Sequence, residues 1–199
     1  MKVAESPDFL QSVIDHPKVR PWIKPDGVDG DIPLSAIFDQ GIGLEFETGG
    51  FFFHSLGDGV YEVHTLFLPG TTNAFDCCRA AAHFMFCATE CTRIVTKVPA
   101  DNVPAWKLTE KMGFRADQVR PAAFMRGGVA HDVKHYSLVM DDWMREKGPQ
   151  WFAQQCELFG NASKGARGLH RWAVMYDEYQ LLEGQGCPQQ AQSSVQSAL

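Results

Sequence analysis

The stretch from Tyr61 to Phe114 decides the fold: YEVHTLFLPGTTNAFDCCRAAAHFMFCATECTRIVTKVPADNVPAWKLTEKMGF. It opens with a run rich in β-branched and aromatic residues that stops at Gly70, and a second β-branched run follows at residues 93–98. The residues between them, about 73–91, are long and apolar enough for a crossover helix. Strand, helix and strand in this order predict a βαβ unit whose two strands are parallel and whose crossover is right-handed. A shorter helix through Met112 follows.

The chain on either side of this unit predicts strands that widen the same sheet. Upstream, the apolar residues of segment 8–15 have helical spacing, and residues 31–38 suggest one more short helix. From Ile42 onward, the apolar residues recur with a period of two, which is typical of strands. Gly49-Gly50 lies between two short apolar runs and is therefore predicted to form a hairpin turn. Downstream, residues 119–126 and 129–140 flank Gly127-Gly128 and predict a second hairpin.

These elements predict a mixed α/β fold with an appendix. The domain covers residues 1–147, and a helical C-terminal extension covers 148–183. Residues 184–199 form a tail of low complexity, rich in Gln and Ser. Within the domain, the helix after Asn73 is apolar on nearly every side, which predicts that it is sandwiched. The side chains expected to be buried are Phe75, Cys78, Ala81, Phe84 and Met85.

Composition excludes several classes of function. The 199 residues carry a net charge of −6, so the chain as a whole offers no electrostatic basis for binding nucleic acid. No apolar run is long enough for a membrane span, and the N-terminus does not look like a signal peptide. The six cysteines lack zinc spacing and read as core thiols, which predicts a reducing compartment.

The order of these elements, with several strings, resembles the GNAT acyltransferase family and its small members encoded by bacteriophages. The strings are residues 63–69, residues 93–102, Gly113-Phe114 and His131-Asp132, and the likeness covers about residues 8–143. The resemblance implies a GNAT-like fold, with a central mixed twisted sheet flanked by helices. It also implies that an acyl-pantetheine arm lies between two separating strands. The residues expected to bind that coenzyme are Leu66, Phe67, Leu68, Thr71, Thr72, Asn73 and Asn102.

The expected coenzyme loop departs from the family pattern. Family members place a diphosphate on a Gly-rich turn, where bare N–H groups and the helix dipole receive it. Here no glycine follows Thr71 until after Arg93, and Asp76 puts a carboxylate in the first turn of the helix. The sequence therefore predicts no bound cofactor, or acetyl-CoA if the protein is active.

Candidate catalytic residues lie on the strand before this loop. Glu62 and His64 are two positions apart and so share a face of the strand, where either could deprotonate an amine. They could equally be the polar edge of a half-buried strand. Thr109 stands where many family members carry an acidic tyrosine. His131 and His135 are roughly 13 Å apart at strand rise, too far for one zinc ion, so no metal site is predicted.

Two functions remain open at this stage. In the first, the protein is a structural or interaction component, associated with a virion or its assembly. It would dock through a C-terminal stripe of Leu169, Trp172, Tyr176 and Tyr179. The partner is then a protein or a second copy of the chain, and the location is the host cytosol or the virion. The alternative is an active N-acetyltransferase that depends on acyl-CoA.

Overall fold

A computed structural model describes residues 1–28 and 30–145. In this part of the chain seven strands form one mixed sheet, in the spatial order β1-β2-β3-β4-β5-β7-β6. The neighbouring strands are antiparallel except β4 and β5, which are parallel. The strands are β1 (Lys2–Val3), β2 (Gly41–Phe46), β3 (Gly49–Gly57), β4 (Val60–Phe67), β5 (Arg93–Pro99), β6 (Arg115–Arg126) and β7 (Val129–Val139). The helices are α1 (Asp8–Ile14), α2 (Arg20–Ile23), α3 (Ala74–Ala88) and α4 (Val103–Lys111).

The predicted βαβ unit is confirmed as β4, α3 and β5, with the two strands parallel. The helix through Met112 is also present as α4. Asn102 caps it, because its Oδ1 accepts the Ala105 N–H at 3.4 Å, and Pro104 lies in the first turn, where its missing N–H costs nothing. The hairpin around Gly127-Gly128 is confirmed as β6 and β7.

The hairpin turn predicted at Gly49-Gly50 is wrong. The turn is Glu47-Thr48, and the two glycines open β3, where they are buried. A Cβ atom on Gly50 would lie 2.1 Å from the carbonyl oxygen of Leu44 and 2.9 Å from Cδ2 of Leu10. These glycines therefore let α1 and the neighbouring strands approach closely. The short helix expected over residues 31–38 is two 3₁₀ turns, Leu34–Ala36 and Phe38–Gln40.

One hydrophobic cluster fixes α1 against the middle of the sheet. Leu10 and Val13 of α1 are buried against Phe52 of β3 and Leu66 of β4. Each strand supplies this cluster from one face because successive side chains of a strand alternate. The remainder of that face, toward β5, β7 and β6, carries the polar side chains described below.

The burial of α3 differs from the expectation. Ala81 and Met85 are buried as predicted, but Phe75, Cys78 and Phe84 are only half-buried. Phe86 is the aromatic side chain that is fully enclosed, at 1% exposure. The buried stripe steps by four residues, through 77, 81 and 85 and through 82 and 86, and this stripe leaves Phe84 to one side.

The described residues divide into two compact units, one of Met1–Ala81 with Arg93–Val139 and one of Ala82–Thr92 with the residues from Met140 to 145. Within the second unit, the Phe86 ring lies 5.5 Å from the Trp143 ring, and the Met140 N–H donates to the Thr92 carbonyl. The predicted extension at 148–183 and the tail at 184–199 lie outside the described residues. None of the described helices is long and apolar enough to cross a membrane.

The cysteines in the described residues are free thiols. Cys77, Cys87 and Cys91 are buried, as expected of small apolar side chains, and Cys78 is half-buried. Desolvation raises the pKa of Cys78 to about 12, so its thiol stays protonated. These sulfurs therefore act as packing groups.

Candidate functional site

The parallel strands β4 and β5 separate partway along their length. Their pairing runs only from Val60↔Arg93 to Glu62↔Val95. Just beyond, the Thr96 hydroxyl donates to the Val63 carbonyl at 3.2 Å and spans the widening gap. The later parts of both strands are not paired with each other, so they leave a split whose walls are backbone N–H and carbonyl groups.

Glu62 and His64 lie beside this split on one face of the sheet. Their cross-strand neighbours are His54 and Phe52, and the His64 ring stacks near the Phe52 ring with centroids 6.4 Å apart. The Lys97 ammonium binds Glu62 Oε2 at 2.9 Å. The Glu62 side chain is 13% exposed, so this ion pair holds a nearly enclosed carboxylate.

The environment of His64 keeps its imidazole neutral. Desolvation lowers the pKa of His64, and the nearby His54 and Lys97 act in the same direction, while Glu62 opposes them. The His64 side chain is nonetheless exposed to solvent. A neutral, accessible imidazole near neutral pH can accept a proton.

Lys97, which was not singled out from the sequence, and His135, which was considered only as a metal ligand, complete this group. His135 pairs with Lys97 across β5 and β7, and its pKa is lowered by desolvation and by Lys97 and Arg120. We call Glu62, His64, Lys97 and His135 the polar site. The sequence did carry a signal, since Lys97 is the charged residue within the β-branched run from Ile94 to Val98.

The start of α3 is the second part of the candidate site. Gly70 has φ +90 and turns the chain, and the Thr71 hydroxyl donates to the Leu68 carbonyl at 2.8 Å. Asn73 precedes the helix, but its side chain forms no hydrogen bond among the described residues. The Asp76 side chain is 77% exposed and lies 3.9 Å from Arg79. Among the residues that the structure describes, no side chain caps the first-turn N–H groups.

The start of α3 and the split between β4 and β5 offer some of the groups that would bind a pantetheine-linked diphosphate. The uncapped first turn of α3 and the split between β4 and β5 offer N–H groups, and the carboxylate of Asp76 faces Arg79 and accepts no backbone N–H among the described residues. That negative charge still lies close to the place where phosphates would bind. The residues present can therefore hold the coenzyme, against a local electrostatic cost.

The side chains of the other predicted coenzyme residues are engaged elsewhere. Leu66 is buried in the α1 cluster, Leu68 packs beside it, and the Phe67 ring lies 5.2 Å from the Phe51 ring. The Thr72 side chain is exposed, and Asn102 caps α4. Any contact of residues 66–68 with a bound group would therefore come from their backbone.

The position expected to carry the family's acid holds a hydroxyl turned back on its own helix. Thr109 Oγ1 donates to the Ala105 carbonyl at 3.0 Å. On the opposite face of β7 from His135, the Tyr136 hydroxyl donates to Glu110 Oε1 at 2.9 Å. Desolvation, followed by the bond to Glu110, raises the pKa of Tyr136 to about 12, which disfavours proton transfer from it.

The two histidines of β7 have separate surroundings. His131 Nδ1 lies 3.3 Å from Asp101 Oδ2, which also pairs with Arg126, whereas His135 belongs to the polar site. Within residues 1–28 and 30–145, no three potential ligands group around one point for a metal ion. The predicted partner residues Leu169, Trp172, Tyr176 and Tyr179 lie outside the described residues.

Comparison with solved structures identifies the fold. Spermidine N-acetyltransferase from Vibrio cholerae, in complex with CoA and spermine, aligns with a TM-score of 0.60 and 15% identity over 72% of this chain and 96% of its own. A mutant of the Vibrio cholerae spermidine/spermine N-acetyltransferase SpeG aligns with a TM-score of 0.46 and 19% identity, and the match spans 49% of this chain and 60% of that one. A GNAT-family acetyltransferase from Bacillus anthracis aligns with a TM-score of 0.45 and 20% identity, over 51% of this chain and 67% of its own.

Neither a family model nor a curated protein sequence matches the chain. The chain has the GNAT acetyltransferase fold, as the sequence predicted, with a mixed sheet and flanking helices. The comparisons do not reach the expected bacteriophage subgroup, and they lend no support to a role in a virion.

Proposed function

We propose that the protein is an N-acyltransferase that uses acyl-CoA and binds its amine acceptor at the polar site. The observation that carries the proposal is the position of His64 and Glu62, which lie on one face of the sheet at the point where β4 and β5 separate. This is the place where an amine could meet a thioester lying in the split.

The residues of the polar site suit the proton transfer that such a reaction requires. An acceptor amine must lose a proton to form the amide nitrogen, and neutral His64 can take that proton. Glu62 stays paired with Lys97 and stabilises positive charge that forms on the imidazole. Acyl-CoA, when bound, would supply the activated acyl group: the amide N–C bond replaces the thioester C–S bond, and the proton that His64 takes from the amine balances the CoA thiolate, which is released as the thiol.

A second function, binding without catalysis, is favoured by the loop before α3. That loop has no glycine after Gly70, and Asp76 adds a negative charge in the first turn of the helix. A protein that kept the fold and lost the coenzyme could show these features. We rank it below the enzyme, because a protein that binds no coenzyme has no need of the strand split beside a neutral histidine.

Titration of the full chain with acetyl-CoA, followed by calorimetry, tests the proposal. We expect saturable binding with Kd below about 1 mM, because the split and the bare helix turn supply backbone donors. Release of free CoA thiol in the presence of a primary amine should follow. If millimolar acetyl-CoA gives no binding heat, and no thiol is released with the primary amine, the acyltransferase proposal is wrong.

A further inference from the structure

The turn between β2 and β3 lies against the chain that leaves β4. The pairing of β3 with β4 reaches Gly49↔Phe67, and one pair further on the Leu68 N–H donates to the Thr48 carbonyl at 2.9 Å. Gly49 permits this approach, because it has φ +148 and a Cβ atom there would lie 2.1 Å from the Leu66 carbonyl oxygen. The turn is therefore held beside the start of the segment that joins β4 to α3.

The side chain of Thr48 ties this segment to the turn at a second point. We call residues 68–73 the α3 loop. The Thr71 hydroxyl donates to the Leu68 carbonyl at 2.8 Å and is hydrogen-bonded to the Thr48 hydroxyl at 2.9 Å. Both threonine side chains are half-buried, so water competes only in part for these bonds. The two hydroxyls thus hold the middle of the α3 loop on the turn between β2 and β3.

The rest of the α3 loop is held by few contacts. Residues 69, 70, 72 and 73 are exposed, and Gly70 turns the chain with φ +90. In the described part of the chain, the hydrogen bonds that reach residues 68–72 from outside the loop come from Thr48. Ordering a loose loop when a ligand binds costs free energy, and a bond that orders the loop beforehand lowers that cost.

We infer that Thr48 is a positioning residue for the diphosphate of acyl-CoA. The inference rests on the proposed function, in which the uncapped first turn of α3 receives that diphosphate. Thr48 acts through Thr71: its hydroxyl keeps the α3 loop in the conformation that leads into the first turn. Its contribution therefore concerns the affinity for the coenzyme and not the proton transfer at His64.

Two substitutions of Thr48 isolate the hydroxyl. Thr48→Val removes the hydroxyl and keeps the shape of the side chain, whereas Thr48→Ser keeps the hydroxyl. In calorimetry on the full chain, Thr48→Val should weaken acetyl-CoA binding by about three- to tenfold, the usual effect of one neutral hydrogen bond. Thr48→Ser should restore most of the affinity. At saturating acetyl-CoA, kcat for acetyl transfer to a primary amine should be the same in both variants as in the wild type.

A second acyl donor makes the test specific for the diphosphate. S-Acetylpantetheine has the thioester and the pantetheine arm but lacks the diphosphate and the nucleotide. Thr48→Val should raise KM for acetyl-CoA by about three- to tenfold and leave KM for S-acetylpantetheine unchanged.

Two more variants test the route through Thr71 and the effect of losing any threonine hydroxyl. In a Thr71→Val background, Thr48→Val should have no further effect on acetyl-CoA binding, because the two changes remove the same bond. Thr89→Val is the matched control. The Thr89 hydroxyl donates to the Met85 carbonyl after the last turn of α3, at the opposite end from the α3 loop. Its loss should leave the affinity for acetyl-CoA unchanged.

Each outcome decides the inference. If the wild type binds acetyl-CoA and Thr48→Val binds it equally well, the inference is wrong while the acyltransferase function stands. It is also wrong if Thr48→Val impairs the use of both acyl donors equally, if Thr48→Ser is as weak as Thr48→Val, or if the effects of the two Val substitutions add. If the wild type binds no acetyl-CoA, the proposed function and the inference fail together.

Discussion

The ion pair between Lys97 and Glu62 distinguishes the two candidate bases. The Glu62 carboxylate is almost enclosed and already binds an ammonium group at 2.9 Å, so accepting a further proton would break that pair. His64 has an open side and a lowered pKa, and it stacks on Phe52, which fixes the ring. In the proposed reaction, His64 is accordingly the proton acceptor, and Glu62 is its electrostatic partner.

Replacing His64 tests this assignment. His64→Asn should lower kcat/KM for acetyl transfer by about 10²- to 10⁴-fold, the usual contribution of a general base. Because the pKa of His64 is lowered from the ordinary histidine value of 6.5, the acid limb that His64 contributes to wild-type kcat/KM should lie below pH 6.5. The variant should lose this acid limb. His16→Asn, in the turn after α1, is the control, and an unchanged pH profile in His64→Asn would contradict the role.

The first turn of α3, just after β4, carries a carboxylate that can weaken the binding of acetyl-CoA. Asp76 lies in the first turn of α3 and Arg79 offsets its charge only loosely, at 3.9 Å. Asp76→Asn should therefore tighten acetyl-CoA binding by about two- to fivefold, the effect of one charge at a helix N-terminus. Asp8→Asn makes the same change in the first turn of α1 and should have no effect. Calorimetry showing weaker binding in Asp76→Asn would mean that the carboxylate serves the ligand.

Helix α3 also permits a matched test of packing. Phe86 is fully buried, whereas Phe84, two positions earlier, is half-buried. Phe86→Ala should lower the free energy of unfolding by about 3–5 kcal/mol, as truncation of enclosed aromatic rings does. Phe84→Ala should cost clearly less. Urea melts that give equal losses for the two variants would show that the buried stripe of α3 is misplaced.

The sequence predicts an element well when the residues that determine its structure lie within that element. The βαβ unit and the hairpin at Gly127-Gly128 were predictable because apolar period and turn chemistry lie within each segment. The turn at Gly49-Gly50 was wrongly predicted, since Gly50 permits the close approach of Leu10 and Gly49 that of Leu66 and Phe67, contacts that no local pattern reveals. Glycine alone does not distinguish a turn from a close approach.

The polar site was only half predictable for a similar reason. Glu62 and His64 share one strand, so their common face follows from period two. Lys97 and His135 come from two other strands, and they join the site only through the register Lys97↔His135 and the pairing of Lys97 with Glu62. Register between distant strands is set by the assembled sheet, which a single sequence does not reveal.

At the scale of the whole sheet, a group of contacts ties the segment after α2 to the tip of the β6–β7 hairpin. The Arg126 guanidinium lies 3.5 Å from the Trp22 ring centroid and pairs with Asp101. Next to it, the Asp26 N–H donates to the Met125 carbonyl at 2.8 Å, and the Gly128 N–H donates to Asp26 Oδ2 at 2.8 Å. We call these contacts the clasp. They join parts of the chain about a hundred residues apart.

Arg126 is the centre of the clasp, so its removal should have a larger effect than a single surface contact. Arg126→Met removes the guanidinium that pairs with Asp101, whose Oδ1 is already buried without a hydrogen bond. The substitution also removes the stack on Trp22. Loss of a partner from such a carboxylate costs about 1–3 kcal/mol, and the cation–π contact adds about 0.5–1 kcal/mol. The free energy of unfolding should fall by about 2–3 kcal/mol in urea melts. Hydrogen exchange of residues 24–28 and 125–128 should speed up together, because both segments lose the same anchor.

Lys134→Met removes a cation from Trp106 at 3.8 Å, a contact without a buried carboxylate, and should cost less than 1 kcal/mol. Equal costs for the two variants, or faster exchange in only one of the two segments, would show that the clasp does not act as a unit.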